Sequence, residues 1–242
     1  RKGGALLGVA GASTETLEVW SGDWLAELVG NTHLLRFSPD TKGHYNVRLL
    51  GTATTLPWLQ GDNGFSKKGE CERCASQYYS FSRIPFEGEI RSDQSVTPVT
   101  GLGWMDHEFM SNSLAPDQVG WDWMGLMLKD GRSLTLFRLR RADGSSSFVS
   151  ASLRADGASE TIAPEHITLT PTEYWTSPTS KGRYPLSWRV QIPSKGIDFS
   201  INARVQMCEI GEATSELEPT YWEGPVASQD ESVIGYLEMT GY

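Results

Sequence analysis

The sequence predicts an all-β protein made of two antiparallel β modules, and three observations carry that reading. Apolar residues recur with a period of two in short runs, whereas a helical period of 3.6 is hard to find. Turn signals bound those runs, Asp-Gly pairs above all. The 25 Gly and 12 Pro among 242 residues suit many short strands and turns.

Along the chain, Trp20 to Val29 is the best helical candidate, but Gly22 and Gly30 punctuate it and it reads equally well as a strand pair. Tyr45 to Leu50 alternates cleanly. Trp123 to Leu128 and Ser133 to Leu139 flank Lys129-Asp130-Gly131-Arg132, a hairpin turn whose Asp-Gly pair supplies positive φ. Asp143-Gly144 and Asp156-Gly157 repeat the device, so a meander is expected from about residue 120 to residue 170. Trp188 to Ile192 and Ile197 to Asn202 alternate as well. The polar segment from Ser111 to Gln118 marks a boundary, giving modules at 1–112 and 117–242. The second has enough strands to close a small barrel around a ligand. The first has too few to close by itself and is expected to be incomplete at its N-terminus, since the chain opens on Arg1.

A formal charge of -9 with dispersed basic residues argues against nucleic acid as a partner. No stretch approaches the roughly 18 apolar residues of a spanning helix. G-x-S-x-G, H-E-x-x-H and P-loop signatures are absent, and Gly101-x-Gly103 lacks a dinucleotide context. His33, His44, His107 and His166 do not cluster. Cys71 and Cys74 form a lone C-x-x-C without the second pair a zinc site needs, which leaves a local disulfide or two thiols. No metal or cofactor is expected.

Nine Trp and eight Tyr are the informative excess, and they meet acids in three places. In Gly101 to Phe109, a strand would put Trp104, Asp106 and Glu108 on one face and His107 on the other. Two carboxyls at that spacing repel, and burial beside an indole would raise one of them toward general-acid use. A structural acid pair is the bland alternative. In Gly120-Trp121-Asp122-Trp123, either indole could line a pocket or close the end of a barrel. The third place is C-terminal, with Trp222 and Glu223, then Tyr236 and Glu238 sharing a face. Arg138, Arg140 and Arg189 are on hand to neutralise buried acids. Tyr174 and Trp175 add ring surface.

These segments together resemble the hydroxyneurosporene synthase family, the carotenoid 1,2-hydratase-like (AttH-like) proteins. The matching stretches include Gln60 to Gly69, Ala75 to Ser80, Thr100 to Glu108, Gly120 to Trp123, Tyr174-Trp175, Tyr184-Pro185 with Trp188, Tyr221 to Gly224 and the end Gly235 to Tyr242. The chain departs from the pattern in lacking an opening Thr-Glu-Trp-Trp-Tyr-like segment and in its Cys71–Cys74 insertion. The resemblance implies two lipocalin-like domains in tandem and an apolar, extended ligand such as an acyclic carotenoid. It also favours a secreted, periplasmic or membrane-peripheral setting.

Three functions follow from it. The first is a cofactor-free hydratase in which Asp106 protonates a C=C, Glu108 or His107 serves as base, and Trp104, Trp121, Asp122, Trp123, Tyr174, Trp175, Trp222, Glu223, Tyr236 and Glu238 form the substrate-binding set. The second is a lipocalin-like subunit that binds lipid or pigment, or sits in a membrane complex, without chemistry. The third is a pericyclase or isomerase that only folds its substrate.

Overall fold

The protein, seen in a computed structural model, is described at residues 9–37, 44–69, 74–110, 114–211 and 220–242. Cys71 and the first residues of the expected 111–118 boundary lie outside this set. Nineteen strands follow one another, with two single 3-10 turns and no α-helix among the described residues. They are β1 (Ala10–Ala12), β2 (Glu18–Ser21), β3 (Trp24–Val29), β4 (Thr32–Phe37), β5 (Tyr45–Thr52), β6 (Trp58–Leu59), β7 (Phe65–Lys67), β8 (Ala75–Ser92) and β9 (Val96–Met110). After these come β10 (Gly120–Leu128), β11 (Ser133–Arg140), β12 (Ser146–Ala155), β13 (Ala158–Ile162), β14 (Thr168–Thr176), β15 (Arg183–Ile192), β16 (Ile197–Ala203), β17 (Glu209–Ile210), β18 (Tyr221–Ala227) and β19 (Val233–Thr240). The stretch from Trp20 to Val29 is thus a strand pair, turned at Gly22 with φ of 58°.

The chain groups into two compact units, one of residues 1–56 and 81–105, the other of 57–80 and 106–242. In the first, β1 to β5 form an antiparallel series, and β5 pairs with the C-terminal half of β8 from Tyr45↔Ser92 to Gly51↔Phe86. Its interior is thin. His33 is buried against Phe81 with ring centroids 5.7 Å apart, and burial lowers the pKa of its imidazole. Gly51 and Gly103 leave room for the Phe86 ring, which a Cβ at either position would strike.

In the second unit, strands run in the order β13-β12-β11-β10-β19-β18-β16-β15-β14, all antiparallel, with β17 on β18. The expected meander holds through β13 and then stops. Pro164-Glu165-His166 turns the chain, and β14 pairs with β15 at the far end of the sheet. One core cluster draws on nearly every strand: Met124, Leu126, Leu134, Leu136, Trp188, Ile192, Ile201, Trp222, Leu237 and Met239 are each at most 1% exposed. Each such side chain contributes roughly 1.5–3 kcal/mol on burial.

Candidate functional site

Alternation along β10 fixes which side chains face the core. Met124, Leu126 and Leu128 point inward, so Asp122 does too, while Trp121 and Trp123 go to the opposite face. Neither indole closes the core. Asp122 takes the inward place, its side chain 0% exposed and 2.7 Å from Arg138 Nε, with Arg140 Nε at 3.2 Å and the Tyr242 hydroxyl donating at 2.7 Å. The Arg138 guanidinium lies over Trp188 at 5.0 Å, and that of Arg140 over Tyr242 at 3.7 Å. The end of the core is thus closed by a neutralised ion cluster, and Asp122 belongs to it rather than to a ligand wall.

The outward face of the same strands lines a pocket of about 250 Å3. Trp121 and Trp123 of β10, Phe137 of β11 and Glu238 of β19 form one side; Tyr78 of β8 with Asp106, Glu108 and Met110 of β9 form the other. All eight lie within the second unit. Of the expected Trp104, Asp106 and Glu108, the two acids line the pocket, and Glu238 and the two indoles join them. His107 projects elsewhere, its Nδ1 2.6 Å from the Tyr79 hydroxyl and its ring 4.4 Å from Phe109.

Three carboxyls with different environments share this pocket. Asp106 is solvent-exposed and accepts the Ser80 hydroxyl at 2.5 Å. Glu108 accepts the Ser76 hydroxyl at 2.5 Å and pairs with Lys68 at 2.8 Å, a lysine whose side chain is only 6% exposed. That ammonium also rests over the Phe137 ring at 4.2 Å. Both acids are therefore held by hydrogen-bond donors. Glu238 differs. Burial raises its pKa, the negative fields of Asp106 and Glu108 add to the rise, and the Trp121 indole N–H donating at 2.7 Å opposes it. The buried Tyr78 phenol is pushed well above its usual range by burial and then by Asp106, and it accepts the Trp123 N–H at 3.2 Å.

The remaining expected residues lie apart from this pocket. Trp104 is half-buried in the first unit. Trp222 is a core residue, 0% exposed, with its N–H on the Gln206 carbonyl at 2.7 Å. Glu223 stands directly opposite Glu238 on β18, its pKa raised by burial and then by that neighbour. Tyr236 shares the outer face of β19 with Glu238, its phenol pushed up to about 12 by burial and then by Glu223. Tyr174 is exposed beneath Arg183 at 3.8 Å, and Trp175 stacks on Tyr184 at 6.2 Å. Residues that period-two reasoning missed are Lys68, Ser76, Tyr78, Ser80 and Phe137. The first four lie in the stretches Gln60 to Gly69 and Ala75 to Ser80, which carried the family resemblance.

Cys74 is disulfide-bonded and Cys208 is a free thiol. Among the described residues no group of three or more His, Cys, Asp or Glu is placed to hold a metal ion.

Fold and pocket define a lipocalin-like β protein with an acid-lined aromatic cavity. The AttH-like family profile matches residues 1–242, and the chain belongs to that family. A Nitrosomonas europaea protein assigned as an AttH, solved by crystallography, is 30% identical with a TM-score of 0.83, over 93% of this chain and 69% of that one. Kievitone hydratase from Nectria haematococca shares the fold at 18% identity and a TM-score of 0.64, over 92% of this chain and 74% of that one. No curated protein matches the chain.

Proposed function

We propose that this protein is a cofactor-free, hydratase-like enzyme acting on the unsaturated end of an apolar, isoprenoid-type chain. The observation that carries the reading is Glu238, a carboxyl whose pKa burial raises, set on a wall of indole and phenyl rings and facing two donor-held carboxylates. A hydratase of the same fold supports the reaction class. At about 250 Å3 the pocket takes the terminus of an extended substrate rather than its whole length.

The roles follow from the environments. Asp106, expected from sequence to be the acid, is the exposed, serine-bonded member and suits the base; the acid is Glu238. The Glu238 O–H gives its proton to one alkene carbon as the π pair forms the new C–H bond. The adjacent tertiary cation faces Trp121, Trp123 and Phe137, each contact contributing on the order of 0.5–2 kcal/mol. Water forms the C–O bond, Asp106 takes the water's proton, and pocket solvent returns that proton to Glu238. Glu108, tied to Lys68, supplies a fixed negative field that keeps the proton on Glu238 until substrate arrives.

Incubation with acyclic isoprenoids in D2O tests this. The wild type adds one water and one carbon-bound deuterium, and Glu238→Gln loses roughly 10²–10⁴-fold in rate. Full turnover by that variant would overturn the assignment. A binding-only reading rests on a different feature, an open groove of about 800 Å3 in the first unit lined by Leu50, Pro85, Phe86 and Leu102. It predicts that such a ligand is bound and recovered unchanged.

A further inference from the structure

Behind Asp106 runs a line of polar side chains that the proposed reaction does not itself require. Gln60 is 2% exposed, Ser80 0% and Thr135 6%, yet all three are polar. The Thr135 hydroxyl donates to Gln60 Oε1 at 3.1 Å, Gln60 Nε2 donates to Ser80 Oγ at 3.0 Å, and Ser80 donates to Asp106 Oδ1 at 2.5 Å. Every donor points the same way, toward the carboxylate. The Thr135 hydroxyl has a second acceptor, the Ser152 carbonyl at 3.4 Å.

We infer that Thr135, Gln60 and Ser80 form a reversible hydrogen-bond relay that lets Asp106 gain and lose a proton with every buried polar group kept paired. The inference rests on the reading of Asp106 as proton acceptor. Consider Asp106 once it carries the proton. Its O–H then donates to Ser80 Oγ, and the Ser80 hydrogen must turn away. A half-turn of the Gln60 amide presents Oε1 to Ser80 and Nε2 to Thr135 Oγ1, and Thr135 donates onward to the Ser152 carbonyl. The three links among these four side chains are all kept with reversed polarity, and no heavy atom other than the amide tip has to move. An amide is the side chain suited to this, because it carries a donor and an acceptor of nearly equal shape. A buried chain that fitted only one state would lose a bond each time the base took up a proton. Gln60 and Ser80 are positioning residues, since neither touches the pocket.

The other charged groups around Asp106 are Glu108 on its own strand, Lys68 behind Glu108, Tyr78 on β8 and Glu238 on β19. The test must separate it from them. In the full-length chain, the Gln60 side-chain amide signals in a ¹H–¹⁵N spectrum are followed against pH, beside the ¹³C signal of the Asp106 carboxyl. The relay predicts that the two share one midpoint, and that the Gln60 response disappears in Asp106→Asn, a change at an exposed position, and in Ser80→Ala. Stationary Gln60 signals while Asp106 titrates overturn the inference. So does a Gln60 response that persists in Asp106→Asn. Turnover plays no part in this readout, so loss of the relay and loss of the hydratase reading are separate outcomes.

Discussion

Asp122 and Glu238 sit on neighbouring strands, yet opposite faces give them opposite chemistry. Asp122 is enclosed with two guanidiniums, both with a nitrogen within 3.2 Å of its carboxyl. Removing one member of a buried ion cluster leaves the others uncompensated. Asp122→Ala is therefore expected to lower unfolding free energy by about 3–5 kcal/mol in urea titration, with Arg138 and Arg140 left facing an apolar core. Glu238 has a single indole N–H and two like charges instead, which is why the proposed reaction starts with the proton on it. The period-two spacing showed Asp106 and Glu108 in the sequence. It did not show which parity of β10 faces inward, because Trp121 and Trp123 are bulkier than Asp122 and look like the buried set.

At the level of elements, strands whose buried face is apolar were legible: β16 and the Trp188–Ile192 half of β15 alternate in sequence as they do in burial. The 18-residue strand β8 was not, for a physical reason. Its inward positions include Ser76, Tyr78, Ser80 and Ser82, small or polar residues that follow a period of two without apolar character. A hydrophobic pattern cannot find a strand whose buried side is a hydrogen-bond network, and that network supports the candidate site. The meander ends at Pro164 because proline sets the first residue of a 3-10 turn, while strand pairing between β14 and β15 depends on contacts distant in sequence. Close strand approach also has a residue-level signature. A Cβ on Gly120 would meet the Thr240 carbonyl oxygen and Arg140 Nη2. Gly120→Ala is thus expected to cost about 1–3 kcal/mol by denaturant midpoint, through displacement of β19 from β10.

Over the whole molecule, two compact units are drawn from a chain that passes between them more than once, at 56–57, 80–81 and 105–106. Segments 57–80 and 106–110 leave the first unit's run of sequence to build one wall of the second unit's pocket, so Tyr78 shares the pocket with residues more than forty positions further on, and Gln60, Lys68 and Ser80 stand behind its wall. Fold and family do not by themselves assign a reaction. The reaction class proposed for this protein depends on one proton being held at one atom.

The most direct measurement is the pH titration of the Glu238 side-chain carboxyl by ¹³C spectroscopy in the intact chain, with Glu238→Gln to assign the signal. The account predicts a midpoint above the ordinary glutamate value of about 4.3, and one that falls when Asp106→Asn removes a like charge. A midpoint at or below that value, unmoved by Asp106→Asn, would contradict it.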